Sequence, residues 1–394
     1  MKFSFLIYSY FPYGGQQRDF LRIAQEILAR GNEVDVYTLS WQGDIPAKLN
    51  VILVPVKAFS RISLYRRYTK WIETTLGSAS RTCVVGFNKM PLLDVYFAAD
   101  PCFLEKAENQ RAAYYKYTGR YRHFKEYERL VFDDASQTEI LLLSPQQQRA
   151  FRHYYPGCES RIHELPPGIS KDRKVDRRDP KKGEHIRKEI GVSDETILIL
   201  QIGSGFRVKG VDRSLEAIAA LPALLKKDIH YLLIGQDKSN RFVKLASKLG
   251  LTEQVTIFSG RDDVPDMLQA ANLMLHPAYS ESAGYVLLEA TIAGLPILTT
   301  ASCGYAFHIE KAKSGEVCPL PFQQKKLNEK LLNMLEALGS ANWSSAGIEY
   351  GKNEGLYTMP AAAADIIQAN AKKIEQSKVE SKVATTEDKM VLRS

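Results

Sequence analysis

The sequence predicts an α/β protein of two Rossmann-like domains, each built around a mostly parallel sheet. Three observations lead there. Strand-like and helix-like segments alternate through almost the whole chain, which is the pattern of βαβ units. Apolar runs such as L-I-L-Q-I and Y-L-L-I-G suit strands buried on both faces. A charged stretch after Leu165-Pro166-Pro167-Gly168 separates two such alternating series.

In the first series, Phe3–Tyr8 reads as a strand, Gly15–Arg30 as an amphipathic helix and Glu33–Leu39 as a strand. Val51–Pro55 is a short strand and Arg61–Thr75 has helical spacing. Thr82–Phe87, Asp94–Ala99 and Glu139–Leu143 complete the strands. Lys171–Lys188 has little apolar content and reads as the interdomain linker. The second series runs strand Thr196–Ile202, helix Val211–Leu221, strand His230–Gly235, helix Asn240–Leu249 and strand Val255–Ser259. Helix Val264–Ala271, strand Leu273–His276, helix Gly284–Ala293 and strand Pro296–Thr300 follow. The chain then becomes helical in two or three pieces, with Pro360 at the first turn of an alanine-rich helix. From about residue 372 it is polar and lysine-rich without an apolar period, and a disordered tail is expected over 373–394.

A chain of 394 residues has enough surface to bury in two cores. Five scattered cysteines form no C-x-x-C pair and read as reduced thiols of a cytoplasmic protein, not a disulfide framework or a zinc site. No run of about 18 apolar residues is present. The apolar Met1–Ser9 lacks a basic leader and reads as a first strand, not a signal peptide. The net charge of +8 favours an anionic partner: nucleic acid, anionic membrane or phosphorylated substrate. No nucleic-acid motif is recognisable.

The chemistry concentrates at strand-to-helix turns. In E-S-A-G-Y-V-L-L-E, seven residues separate Glu281 from Glu289. Gly284 stands at a helix start whose N–H groups offer an anion site. Glu289 could reach a ribose, and Glu281, before the helix, can accept hydrogen bonds from a hexose; an ordinary buried helix with two solvated glutamates is the plain alternative. Gly203–Gly210 follows the first strand of the second domain and carries Arg207 and Lys209. Two cations there would neutralise a diphosphate leaving group as its charge develops. Pro12-Tyr13-Gly14-Gly15-Gln16 opens the first helix. Its paired glycines permit close backbone approach to a ligand, or simply make a tight turn. The spacing is not the dinucleotide G-x-G-x-x-G, which disfavours a nicotinamide or flavin. Asp19 is either a sugar ligand or an acid favoured by the helix dipole. Arg261-Asp262-Asp263 reads as a turn with an N-cap, no D-x-D pair stands out, and no divalent ion is expected. His276, a lone histidine before Pro277, reads as structural. Phe103–Phe132 interleaves seven Lys/Arg with tyrosines and phenylalanines and suits an anionic membrane interface. RNA binding uses the same chemistry, and a solvated helix pair is the plain alternative, supported by Glu105, Glu108, Glu126 and Glu128.

Together, the glycine turn, the R…K-G turn and E-x7-E resemble the retaining GT-B glycosyltransferases of family 4. Further motifs are Y-F-P-Y-G-G-Q-Q-R-D-F, V-V-G-F-N-K-M-P, L-D-V-Y-F-A-A-D, R-Y-R-H, L-P-P-G-I, K-G-V-D-R-S, G-Q-D-K and L-H-P-A-Y. Through these the chain is most similar to the Gram-negative glucosyltransferases that act on lipopolysaccharide core heptose, up to about Ala371. The resemblance implies two domains facing across a cleft. An acceptor-side domain would span 1–165, with 358–372 crossing back onto it, and a donor domain 166–357. It implies UDP-glucose as donor, a lipid-anchored inner-core heptose as acceptor, anionic inner-membrane lipids as partners, no nucleic acid, no cofactor and no metal. The enzyme would sit peripherally on the cytoplasmic face of the inner membrane. Asp19, Asp100, Lys209 and Glu281 would be catalytic. Gly14, Gly15, Arg173, Arg207, Lys209, Glu281, Ala283, Gly284 and Glu289 would bind the donor. Arg120, Arg122 and Lys125 would meet membrane or acceptor. One departure is Val208, which separates Arg207 from Lys209 where the family places the two cations side by side. The alternatives are a nucleotide-sugar epimerase and a non-catalytic membrane protein of the same fold.

Overall fold

A computed structural model describes the chain except residues 13, 78–82 and 392–394, so Tyr13 and Thr82 lie outside the described residues. The chain divides into two compact units: Met1–Pro166 with the segment that starts at Thr358, and Pro167–Tyr357.

The first unit holds strands β1 (Lys2–Leu6), β2 (Ser9–Tyr10), β3 (Glu33–Thr38), β4 (Ser40–Trp41), β5 (Leu49–Leu53), β6 (Cys83–Gly86), β7 (Val95–Ala98), β8 (Glu139–Leu142) and β9 (Ile162–Glu164). Its helices are α1 (Gly15–Ala29), α2 (Arg61–Gly77), α3 (Phe103–Gln110), α4 (Gly119–Phe132) and α5 (Pro145–Tyr154). Seven strands form one parallel sheet in the order β5-β3-β1-β6-β7-β8-β9, while β2 and β4 pair separately. Strand order reverses between β1 and β6. In open α/β sheets ligands bind at such a switch point, beyond the carboxyl ends of the strands.

The second unit repeats this logic. Its elements are α6 (Glu184–Glu189), β10 (Ile197–Ile202), α7 (Val211–Ala219), α8 (Ala223–Lys226), β11 (Ile229–Ile234), α9 (Asn240–Lys248), β12 (Val255–Phe258), α10 (Val264–Ala270) and β13 (Leu273–His276). They continue with α11 (Tyr285–Ile292), β14 (Ile297–Thr300), α12 (Ala306–Ala312), β15 (Gly315–Cys318), α13 (Gln324–Ala337) and α14 (Trp343–Tyr350). The parallel sheet runs β12-β11-β10-β13-β14-β15, with its switch point between β10 and β13. Buried residues of β10 and β11 pack on both faces, which explains their near-continuous apolar composition.

One expectation is corrected. Lys171–Lys188 is not a solvated linker. It belongs to the second unit, where Arg178 and Arg187 are drawn onto the end of α10. Arg178 donates to the carbonyls of Leu268, Gln269 and Ala271, and Arg187 to that of Ala270 at 3.0 Å. A helix leaves its last carbonyls unpaired with a partial negative charge, and guanidinium groups satisfy both needs. A single helix, α15, runs Met359–Val391. From Ala361 to Val391 there is neither glycine nor proline, and Ala, Lys, Glu and Gln favour helix even where no apolar stripe calls for packing. The early part of α15 docks on the first unit. Arg30 pairs with Asp365 at 2.6 Å and donates to Gln368 at 2.8 Å, while Ala363, Ala364 and Ile367 are fully buried.

Candidate active site

The loop after β10 is shaped by glycines that nothing else could replace. Gly210 adopts φ +71°, and a Cβ there would lie 2.1 Å from the Pro277 carbonyl oxygen. Gly203, at φ +143°, would bring a Cβ to 3.1 Å from the Lys209 Cε. The loop after β10 is therefore pressed against the loop after β13, and the Lys209 stem lies over bare backbone. Buried polar groups fix it further. Gln201 donates to the Lys209 carbonyl at 2.7 Å and accepts from Ser214 and Tyr231, both at 2.6 Å. The Phe206 N–H donates to Asp237 at 2.8 Å.

Opposite stands Glu281. Its backbone is bridged to the 302–304 turn: its N–H donates to the Ser302 carbonyl at 3.1 Å, and its carbonyl accepts from Gly304 at 2.9 Å. The Lys209 ammonium pairs with one carboxylate oxygen, and His276 Nε2 lies 2.7 Å from the other. Burial pushes the Glu281 carboxyl up, but Lys209 and the His276 hydrogen bond outweigh it and hold the group at about 2. Glu281 is thus an ionised, doubly braced acceptor at the switch point of the second sheet. His276 was read as structural. It is fully buried and touches the central carboxylate. Its place at the end of the strand beside the switch point was the available signal.

His276, Glu281 and Cys303 offer ligand atoms within 4.8 Å of one another. The chemistry suits a metal poorly. The Lys209 cation already occupies the carboxylate, and burial, then the Glu281 charge, pushes the Cys303 thiol up to about 11.

Gly284, at φ +102°, starts α11, and Ala283 is buried with its carbonyl accepting from Tyr305 at 2.7 Å. Glu289 is partly buried on α11. Arg207 is exposed and makes no ion pair among the described residues, so the structure does not join it to the Lys209 group. Arg173 pairs with its neighbour Asp172 at 3.6 Å. Asp263 begins α10 as expected, but its carboxylate turns to Arg261 at 2.7 Å and does not cap the helix.

In the first unit, Gly14 caps α1 and Gly15 is its first residue. A Cβ on Gly14 would collide with Gln17 and Phe11, whereas one on Gly15 meets nothing within 4 Å. Gln16 donates to the Phe87 carbonyl after β6, which seats this turn at the first sheet's switch point. Asp19 is buried and lies beyond the first turn of α1, which removes the helix-dipole explanation for it. Asp100 is exposed after β7, its carbonyl accepting from Gln147 at 3.3 Å.

Phe103–Phe132 folds as α3, a short turn over Ala113–Tyr117, and α4. Arg120, Arg122 and Lys125 are exposed, as are Tyr114 and Tyr117. Glu128 is fully buried. It pairs with Lys89 at 2.5 Å and accepts from the N–H groups of Phe103 and Leu104 at the start of α3.

The family model for glycosyl transferases group 1 matches residues 183–349. The lipopolysaccharide glucosyltransferase WaaG of Escherichia coli is 45% identical over 365 residues, covering 92% of this chain and 98% of that protein. The crystal structure of WaaG, a glycosyltransferase involved in lipopolysaccharide biosynthesis, matches with a TM-score of 0.87 at 46% identity, over 93% of this chain and 99% of its own. Anabaena HepE in complex with UDP-glucose matches with a TM-score of 0.65 at 17% identity, over 96% of this chain and 100% of its own, a likeness of fold alone.

Proposed function

The chain belongs to the group 1 glycosyltransferases of GT-B fold, in one family with WaaG, and we propose that it transfers glucose from UDP-glucose to a heptose of the lipopolysaccharide inner core. The observation that carries this reading is the Lys209–Glu281–His276 cluster at the second sheet's switch point, in a chain alike to a lipopolysaccharide glucosyltransferase over nearly its whole length.

In this reading Lys209, with Arg207, holds the donor diphosphate. Glu281, kept ionised by its two partners, accepts hydrogen bonds from hexose hydroxyls, and Glu289 those of the ribose. Arg173 also faces the diphosphate, and Gly14 and Gly15 allow its close approach. Asp19 and Asp100 meet the sugar and acceptor. The acceptor hydroxyl attacks the anomeric carbon on the face from which the diphosphate departs. The new C–O bond forms as the C–O bond to phosphate breaks, the hydroxyl proton passes to a phosphate oxygen, and configuration is retained. No protein nucleophile and no metal is required, because Lys209 meets the charge that develops on the leaving group.

The acceptor is lipid-anchored, so the enzyme works as a peripheral protein on the cytoplasmic face of the inner membrane. The exposed cations and tyrosines of α4 and the preceding turn support attachment to anionic lipid. No helix of the described residues is long and apolar enough to cross a membrane. Incubating purified protein with truncated core acceptor and UDP-glucose, UDP-galactose or UDP-N-acetylglucosamine tests the reading by product mass. Hexose addition from UDP-glucose is expected. Preferred transfer from another donor overturns the glucose assignment, and donor epimerisation without transfer overturns the activity.

A further inference from the structure

The turn into α2 carries a surface that the donor and acceptor chemistry leaves unused. Phe59 projects fully into solvent and is the most exposed large apolar side chain among the described residues. It precedes Ser60, whose Oγ accepts from the Ser63 N–H at 3.2 Å and caps the helix. An apolar residue just before such a cap ordinarily folds back onto the fourth helical residue, here Leu64. Phe59 instead points its ring outward. The segment before it carries Lys57, and α2 carries Arg61, Arg66, Arg67 and Lys70, all exposed. Among the described residues none of these five makes an ion pair, and the single acid on α2 is Glu73. Arg67 donates to the Lys57 carbonyl, tying the turn to the helix. Pro55, Val56, Lys57, Arg67, Lys70 and Trp71 line a shallow open pocket along α2.

The helix α2 packs against α4. The Tyr65 ring lies 6.5 Å from those of both His123 and Phe124, and the Tyr127 hydroxyl donates to Thr69 at 3.1 Å. The exposed cations of α2 and the exposed Arg120, Arg122 and Lys125 of α4 thus belong to adjoining helices of one unit. A protruding ring at the start of a helix rich in exposed cations is complementary to lipid headgroups over an apolar interior.

We propose that Phe59, with Lys57, Arg61, Arg66, Arg67 and Lys70, is a second membrane-docking surface, which inserts the Phe59 ring into an anionic bilayer while the cations pair with lipid phosphates. The proposal rests on the reading that the enzyme works on a bilayer-borne acceptor. It differs from attachment through α4 in its apolar wedge, whose contribution persists when salt screens the charges.

All five native cysteines are buried, so Phe59→Cys in the full chain accepts an environment-sensitive thiol dye. The dye emission is expected to shift to the blue on vesicles containing phosphatidylglycerol and to stay unchanged on pure phosphatidylcholine. Phe59→Ser is expected to lower partitioning onto the anionic vesicles about tenfold without changing UDP affinity. Joint replacement of Lys57, Arg67 and Lys70 by Ser is expected to lower it as well and to reduce its salt dependence. Unshifted dye emission with wild-type partitioning of Phe59→Ser overturns the proposal. If replacing Arg120, Arg122 and Lys125 by Ser still abolishes binding in the same assay, the α4 reading survives that failure. Wild type that binds neither vesicle sinks both.

Discussion

Removing the Lys209 ammonium probes the cluster most directly. Burial raises the Glu281 carboxyl, yet Lys209 and His276 bring it from 4.5 to about 2. A displacement of this size corresponds to about 3 kcal/mol at neutral pH. Glu281 is 15% exposed and Lys209 17%, so Lys209→Ala leaves a largely desolvated carboxylate with His276 alone. A destabilisation of about 1–3 kcal/mol is expected, read as about 2–4 °C of Tm per kcal/mol for a domain of this size. Turnover is expected to fall about 10²–10³-fold, with a smaller loss of UDP affinity, because the charge matters most as the leaving group becomes anionic. The double variant Lys209→Ala with Glu281→Gln removes the stranded carboxylate. It should recover most of the lost Tm and none of the turnover. The sign with pH follows from a depressed carboxyl: its contribution is complete above about 4.5 and is lost as pH falls toward about 2. Lys209→Ala moves that loss to higher pH. Thermal melts from pH 7 to pH 4, with kcat, KM and UDP calorimetry, decide the matter. Additive Tm losses in the double variant would mean that the pair carries no coupling, and a change in KM alone would make Lys209 a uniform binder.

Other outcomes are expected on the same enzyme. Glu289→Ala should weaken UDP and UDP-glucose alike, whereas Glu281→Gln should weaken only the sugar nucleotide; equal losses of UDP affinity overturn the ribose and hexose division. Binding and turnover should survive EDTA, and a loss that magnesium restores contradicts the metal-free mechanism. Burial first, then Arg66 and Arg120, lower the His123 imidazole from 6.5 to about 4, and neither ring nitrogen has a partner among the described residues. The unfolded chain therefore takes up a proton that the folded one refuses, and stability falls as pH drops from 6.5 toward 4. His123→Phe should flatten that part of the stability profile, by up to about 3 kcal/mol; an unchanged profile argues that α4 admits the charged ring.

The parts of the architecture that follow local rules were readable from the sequence. Alternating apolar runs announce β10, β11 and β13, and the glycines at 203, 210 and 284 announce turns that a side chain would obstruct. The less readable parts depend on partners far apart in the chain. Lys209 and Glu281 stand 72 positions apart. Each was legible as a candidate from its own strand-to-helix turn, but their pairing is not until β10 and β13 become neighbours. His276 looked structural for the same reason, since its partner lies past a proline and a turn. The linker reading failed on Arg178 and Arg187, because charge content alone does not reveal a helix end waiting for cations.

The same distinction changes how the basic segment over Phe103–Phe132 should be weighed. Counted from sequence, four glutamates oppose seven cations. In the fold these acids are not equivalent. Glu128 is removed from the surface altogether, held by Lys89 and by the first amides of α3. Glu108 pairs with Lys116 at 3.1 Å, and Glu126 with Arg129 at 3.0 Å. Arg129 is shared further with Asp133 at 3.2 Å. What remains exposed without an ion pair among the described residues is Arg111, Arg120, Arg122 and Lys125, opposed by Glu105 alone. At about 1 kcal/mol for each basic residue near an anionic surface, this supplies a few kcal/mol, enough for reversible and salt-sensitive attachment but not for permanent anchoring. On the proposed reading, an enzyme that must leave one lipid-borne acceptor for the next would be served by attachment of that strength. An exposed aromatic wedge just before the adjoining helix would add affinity without deepening the dependence on salt.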